Sequence, residues 1–347
     1  MPLAAFLVPM QTIEARNLIP TIIIMMIVVD YACNFPHFAY SYQLFYRGFG
    51  KKMAGLIDPP LRKNYILSGI LVPVGLIVFF VIAAGHEDST LLAIMPNIMF
   101  LTAGWHYAKQ GFGTLITCSV YKKIFYTPWE RRILLFNAHL VWIYAWIMFN
   151  VGAKTKTFVG IEFYTLGLPP VVQAVLGVAV IYAALALLIA LIFKYKRERQ
   201  LPPLSGITGY VAAIYLWIIL RFGFGTDNPI HPVILFIPFF HSLQYMALVM
   251  KMKANQVSRG FLSPRQFWLF AFWGIVLGAV LFKAIPVTLE KTVPYDTTVY
   301  DLALFQFSVW IFINIHHYFI DNVIWRRESS EAKNYLFNAP AAEQKSV

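Results

Sequence analysis

The chain of 347 residues has little charge and almost no cysteine. Charged residues make up 13% of it, where an ordinary soluble domain carries about 25%. The only two cysteines, Cys33 and Cys118, fall in apolar segments, which excludes a disulfide scaffold. There is no Gly-rich phosphate loop, Walker motif, dinucleotide fingerprint or nucleophile elbow. The paired HxxxH and HxxHH boxes of membrane fatty-acid desaturases are missing too. No basic stretch precedes the apolar residues of Met1 to Asn17, so this segment reads as retained rather than as a cleaved signal.

What the chain does have is apolar mass: 59% hydrophobic and 17% aromatic residues. Apolar runs of about 20 residues, enough to cross a bilayer, recur along its whole length. They are continuous rather than alternating, which excludes a membrane barrel. The pattern predicts an all-α polytopic bundle and excludes a soluble enzyme with a single anchor. Nine spans can be read, at 18–46, 65–84, 91–121, 133–152, 169–193, 206–222, 231–250, 266–285 and 298–325. Residues 1–325 form one transmembrane domain, and 326–347 are expected to be a polar, mobile tail.

The net charge of +12 raises the question of nucleic acid, and its distribution answers it. With the N-terminus outside, 21 of the 28 Lys and Arg fall in cytoplasmic segments and six at the outer side, with Lys109 left inside the third span. This is the positive-inside pattern, with the C-terminus in the cytoplasm. The basic residues set topology and attract anionic lipid, and no nucleic-acid partner is implied. The protein is expected to be integral to a membrane, the inner one in a bacterium.

Eight histidines are present, and six of them lie within apolar spans. His86 falls in a short polar turn, and His231 at the start of the seventh span. His37 stands 10 residues before Arg47, His241 10 before Lys251 and His317 nine before Arg326. At helical rise each lies about 14–15 Å above the inner boundary, near the midplane. His106 joins them if the third span extends into the cytoplasm. His139 lies nearer the inner side. Each of the four sits on a polar stripe of its helix. Asp30, Asn34, His37 and Ser41 form the first stripe. Thr102, His106, Lys109 and Gln110 form the second, and His241, Gln244 and Tyr245 the third. Asn314, His317 and Asp321 form the fourth. Such stripes face the bundle interior. His316 falls on the apolar side of its helix, which favours His317 as the inward member of the pair.

Neutral imidazoles converging in a dry site suit a transition metal, and a ligand imidazole donates its other nitrogen's proton to a carboxylate or carbonyl. Asp321 and Asp30 are placed for that role. Pro36 and Pro238 are expected to bend their helices near the histidines. Three other readings compete: haem ligation, a polar packing network, and a proton relay through Asp30, Lys109 and Asp321. Lys109 would repel a metal unless it pairs or turns away. Cys33, His316, His139, Asn34 and Tyr245 are further candidates for ligands or for groups supporting them.

Three short motifs carry a resemblance: NFPHFAY around His37, GWHYAKQGFG around His106 and IPFFHSLQY around His241. Their order resembles the Brp/Blh family of membrane β-carotene 15,15′-dioxygenases. The resemblance implies His37, His106 and His241 as ligands of a non-haem Fe(II) that cleaves a polyene with O₂. A fourth ligand would come from His317 or His316. Phe38 and Tyr245 stand where that family has other residues. The expected activity is therefore an oxygenase acting on a carotenoid, isoprenoid or acyl lipid at a site of iron or another transition metal. A hydroxylase would also need an electron donor on the cytoplasmic face. The alternative is a proton-coupled transporter that uses the same polar residues.

Overall fold

The computed structural model describes residues 19–86, 89–158, 161–219, 236–297 and 304–337. The segment Met1 to Asn17, His231, the start of the ninth expected span and tail residues 338–347 lie outside the described residues.

The chain is helical almost throughout. Helix α1 (Ile19–Val29) leads through a π-helical turn (Asp30–Asn34) into α2 (Phe35–Tyr46). The short α3 (Phe49–Met53) and α4 (Arg62–Ile66) precede a second π turn (Leu67–Leu71) and α5 (Val72–Gly85). Next come α6 (Ser89–Tyr121) and α7 (Pro128–Asn150). An antiparallel hairpin, β1 (Thr155–Phe158) and β2 (Ile161–Tyr164), follows. Helices α8 (Pro170–Glu198), α9 (Leu204–Ile214) and α10 (Phe236–Ser258) continue the chain. Helix α11 (Pro264–Ala279) passes through a third π turn (Val280–Ala284) into α12 (Ile285–Thr292). Helix α13 (Leu304–Ile324), the single turn α14 (Ser330–Ala332) and a π turn (Lys333–Phe337) end the described chain. The hairpin is the one departure from an all-helical reading among the described residues. It occupies a segment expected to be an outer loop.

Among the described residues four helical stretches are long and apolar enough to cross a membrane: Pro59–Gly85, Pro128–Asn150, Pro170–Glu198 and Pro264–Thr292. Large apolar side chains stand exposed along three of them, including Val81 at 66%, Tyr182 at 69% and Trp268 at 70%. An exposed apolar face of this extent is stable in lipid and a liability in water. The chain is a membrane protein.

The first three π turns share a cause. Each ends two residues before a proline: Pro36, Pro73 and Pro286. Proline has no N–H to complete the ladder, so the hydrogen-bond register slips by one residue ahead of it. The carbonyls this releases are taken by side chains. Gly69, four residues before Pro73, accepts from the Tyr46 hydroxyl at 3.1 Å. Phe282, four before Pro286, accepts from Gln306 Nε2 at 3.4 Å. Within a membrane these partners are required, because water is not available to satisfy the backbone.

The chain divides into two compact units, Met1–Asp30 with Phe100–Gln244, and Tyr31–Met99 with Tyr245–Val347. In the first, α6, α7, α8 and α9 pack around Val141, Tyr144, Met148 and Tyr210. The fully buried Asn137 accepts there from the hydroxyls of Tyr210 at 2.9 Å and Tyr215 at 2.8 Å. Helix α7 begins with a reciprocal cap between Thr127 and Glu130. In the second unit Leu44, Phe45, Tyr245, Val249 and Ile320 form the core. Phe35, Phe38, Phe282 and Ile313 form a smaller cluster beside His37 and His317.

The tail was expected to be mobile from residue 326, yet Ser330–Phe337 is docked on the second unit. Glu331 accepts from Lys253 Nζ at 2.6 Å and from Gln256 Nε2 at 2.8 Å. The Ser330 amide donates to Asp58 Oδ1 at 2.8 Å, and Ala332 and Leu336 are buried. Polar composition concealed this because the docking bonds are themselves polar. Burial pushes the Glu331 carboxyl up, but the Lys253 ammonium and the hydrogen bonds from Lys253 and Gln256 outweigh it and hold the group below its usual range. A depressed carboxyl adds stability above its unfolded value of about 4.3, and that stability is lost as pH falls further. Hydrogen-exchange protection of 330–337 is therefore expected to hold at neutral pH and to fall below about pH 4. Glu331→Gln should remove the acid step. An unchanged profile in that variant would show that another group holds the tail.

Candidate metal centre

Two imidazole pairs are built from the polar stripes, one in each unit. In the second unit the pair rests on α2 and α13. The π turn before Pro36 leaves the Asn34 carbonyl beside His37, whose Nδ1–H donates to it at 2.6 Å. That bond fixes the tautomer, so Nε2 carries the lone pair. His37 Nε2 lies 3.3 Å from Nε2 of His317, and both residues are buried. Phe38 packs against the His317 ring with centroids 4.6 Å apart. Asp321, one turn after His317, places Oδ2 3.6 Å from His317 Nε2. The Tyr245 hydroxyl donates to Asp321 Oδ1 at 3.2 Å, and Ser41 Oγ donates to the Tyr245 hydroxyl at 2.5 Å. A line of polar groups thus runs from Ser41 through Tyr245 and Asp321 to the imidazoles.

In the first unit the pair rests on α6 and α10. His106 Nε2 lies 3.2 Å from His241 Nε2, and both residues are buried. The Tyr107 ring stacks on His241, centroids 4.0 Å apart and planes 19° from parallel. Gln110, one turn after His106, donates to the His241 carbonyl at 2.8 Å. Gln244 ties the same helix to α9 by donating to the Gly209 carbonyl at 2.9 Å.

The separations can be tested against metal geometry. Two nitrogens bound to one ion at about 2.1 Å stand about 3.0 Å apart at a right angle and about 3.4 Å apart at the tetrahedral angle. Separations of 3.3 Å and 3.2 Å fall between these values. Each pair therefore has the spacing of adjacent ligands on one metal. Buried neutral imidazoles are suitable donors for iron and other transition metals.

The remaining candidates are placed elsewhere. His316 is enclosed: its Nε2–H donates to the Ser68 carbonyl at 2.9 Å, and Tyr42 donates to Nδ1 at 2.8 Å. Both nitrogens are committed, and His317 is the member of the pair that faces His37. His139 Nδ1 lies 2.6 Å from the Leu135 carbonyl of its own helix. Asp30 opens the first π turn and is half-buried. Asn34 serves His37 through its main chain. Lys109 is exposed, its ammonium 4.1 Å above the Trp105 ring. Cys33 is a half-buried free thiol. Pro36 follows the first π turn, and Pro238 lies in the first described turn of α10.

Comparison with family models, curated proteins and solved structures finds no match. The residues alone carry the functional reading. Sequence patterning did not single out Tyr107 as the stacking partner of His241, nor Gln110 as the anchor of its main chain. Adjacency to His106 and the i+4 spacing were the signals available for them.

Proposed function

We propose that the chain is an integral-membrane non-haem iron oxygenase that acts with O₂ on a lipophilic substrate. His37, His106, His241 and His317 supply imidazole ligands to Fe(II). In this reading the chain crosses the membrane nine times, with the N-terminus outside and the C-terminus in the cytoplasm. The bacterial location would be the inner membrane. One observation carries the proposal: in each unit two buried imidazoles present Nε2 to Nε2 at the spacing of adjacent metal ligands. The motifs around His37, His106 and His241 favour iron and O₂ over other metals and reactions. They also make a carotenoid, an isoprenoid or an acyl lipid the substrate class.

A bound Fe(II) would supply the activation of O₂. The chain's own residues do the rest. Asn34 orients the His37 imidazole through Nδ1, Asp321 stands 3.6 Å from the His317 Nε2 that faces His37, and Phe38 and Phe282 keep water from both rings. The two possible outcomes differ in electron balance. Cleaving a carbon–carbon double bond puts one oxygen atom into each of two carbonyl products and needs no outside reductant. Hydroxylation sends one oxygen atom to water and draws two electrons from a donor, which would dock on the cytoplasmic face.

A haem held between the two imidazoles of a pair would need room for its ring between their nitrogens. Both observed separations are too short for it, which favours the non-haem form. The second reading, a proton-coupled transporter, draws support from the chain through Ser41, Tyr245 and Asp321. Elemental analysis and an optical spectrum on detergent-purified protein decide between them. About one iron per chain with no Soret band is expected. A Soret band would mean haem. No metal after anaerobic iron loading would overturn the oxygenase and leave the relay.

A further inference from the structure

In the second unit the docked tail closes over two buried ammoniums. Lys253, near the end of α10, donates through Nζ to Glu331 Oε1 at 2.6 Å and to Gln256 Oε1 at 3.1 Å. Lys52, in α3, donates to the Leu44 and Phe45 carbonyls at the end of α2. Among the described residues the carboxylates of Glu331 and Asp58 answer these charges. Asp58 is already committed, to the Tyr65 hydroxyl and the Ser330 amide. Burial is the largest influence on either ammonium and lowers both. Glu331 raises them again, and Arg47, a third cation, lowers them. Positive charge is therefore in excess here.

The donors and the acceptor have different origins. Lys253 and Gln256 stand one turn apart on α10, whereas Glu331 comes from the tail. A single oxygen, Oε1, receives the bonds from both donors. The Glu331 side chain is 26% exposed, so the pair lies at the edge of the protein. If the tail left, Lys253 would be a buried charge without its counter-ion, which is strongly destabilising. An anion from outside that took the place of Glu331 would remove that cost. A phosphomonoester suits the excess charge better than a carboxylate, because it carries close to two charges and three acceptor oxygens. Lysine binds such groups as a point charge. The place is right for a lipid. Lys253 Nζ stands 5.0 Å from the centre of the Phe270 ring of α11. Trp268, two residues earlier, is exposed near the start of the apolar stretch Pro264–Thr292. An exposed tryptophan at the end of such a stretch marks the headgroup level.

We propose that Lys253 and Gln256, with Lys52 beside them, form a binding site for the phosphomonoester headgroup of an anionic lipid. The tail carboxylate of Glu331 fills this site until the lipid displaces it. Lipid binding and release of Ser330–Phe337 are then one equilibrium. This inference does not rest on the oxygenase reading.

The test uses the full chain in phosphatidylcholine nanodiscs with a rising fraction of phosphatidic acid, whose headgroup is a phosphomonoester. Hydrogen exchange of 330–337 reports the tail, and native mass spectrometry counts retained lipid. Phosphatidic acid is expected to lower the protection of 330–337 in a saturable way, as one lipid is retained. Glu331→Gln removes the competing charge and should tighten lipid retention about tenfold, the size of one hydrogen bond to a charged group. Lys253→Met should abolish retention. Gln256→Ala, which removes a donor and leaves the buried charge in place, should weaken retention about fivefold. Protection unchanged at every fraction of phosphatidic acid would overturn the proposal, as would unchanged lipid affinity in Glu331→Gln or in Gln256→Ala. Equal release by phosphatidylglycerol at the same surface charge would also overturn it, because the membrane's charge alone would then be enough. Release by inorganic phosphate in pure phosphatidylcholine would keep the anion site and overturn the lipid as its source.

Discussion

Replacing His241 with alanine is expected to strip most of the iron while leaving the protein folded. Loss of a residue that merely supports a ligand weakens metal binding about 10–100-fold, and loss of a ligand should exceed that. The structural cost is smaller. The stacking of Tyr107 on His241 disappears, a loss of about 0.5–1.5 kcal/mol. His316→Ala supplies the contrast. His316 donates to the Ser68 carbonyl and accepts from Tyr42, so its removal leaves both without that partner. This costs about 1–3 kcal/mol of stability and should not touch the metal. Iron content by mass spectrometry and unfolding in a detergent titration separate the two variants. If His241→Ala kept its iron, the assignment of His241 would fail. If His316→Ala lost iron at unchanged stability, the choice between the adjacent histidines would reverse.

That choice shows how far the sequence reaches. The polar side of α13, through Asn314, His317 and Asp321, marked His317 as the inward residue. In the structure His317 faces His37, and His316 is enclosed by Tyr42 and Ser68. Periodicity assigns a face, because a helix repeats its faces every 3.6 residues. It could not say that the far side of α13 is also packed, since an apolar stripe reads the same against lipid as against protein. The four most apolar helical stretches were legible for a related reason. In three of them, Pro59–Gly85, Pro170–Glu198 and Pro264–Thr292, the apolar run records an exposed apolar face, whereas Pro128–Asn150 is more than half buried. Helices α6, α10 and α13 are less apolar because they carry the polar stripes, and those stripes are what made the histidines visible.

What remained hidden depended on main-chain geometry. The partner of His37 Nδ1 is a carbonyl, and every residue type has one, so composition could not point to Asn34 in that role. The β1–β2 hairpin was hidden by its brevity, four residues to a strand within a connection read as loop. The docked segment Ser330–Phe337 was hidden because buried charge pairs look like solvated ones in sequence. Lys253 and Glu331 lie 78 positions apart, and only the fold brings them together.

The close approach of α11 to α2 was equally illegible and has the larger consequence for the site. Gly274 and Gly278 stand one turn apart on α11, the small-xxx-small spacing that lets membrane helices touch. A Cβ on Gly274 would enter the Tyr40 ring. A Cβ on Gly278 would lie 2.7 Å from the Phe35 carbonyl carbon and 2.9 Å from Pro36 N. These are backbone atoms just before His37, so no rotamer change can relieve the clash. Gly278→Ala gains about 1 kcal/mol of helix propensity and meets an overpacking cost of about 1–3 kcal/mol. The overpacking cost should win, because the contact is with backbone on both sides. The variant is expected to lose up to about 2 kcal/mol of stability and to push α2 outward, displacing His37 from His317. Iron affinity should therefore fall although no ligand has changed. Gly75→Ala is the control, because nothing lies within 4 Å of a Cβ at that position. It should be neutral or slightly stabilising, with iron retained. If Gly278→Ala matched Gly75→Ala in both unfolding and iron content, the contact between α11 and α2 would not be what positions His37.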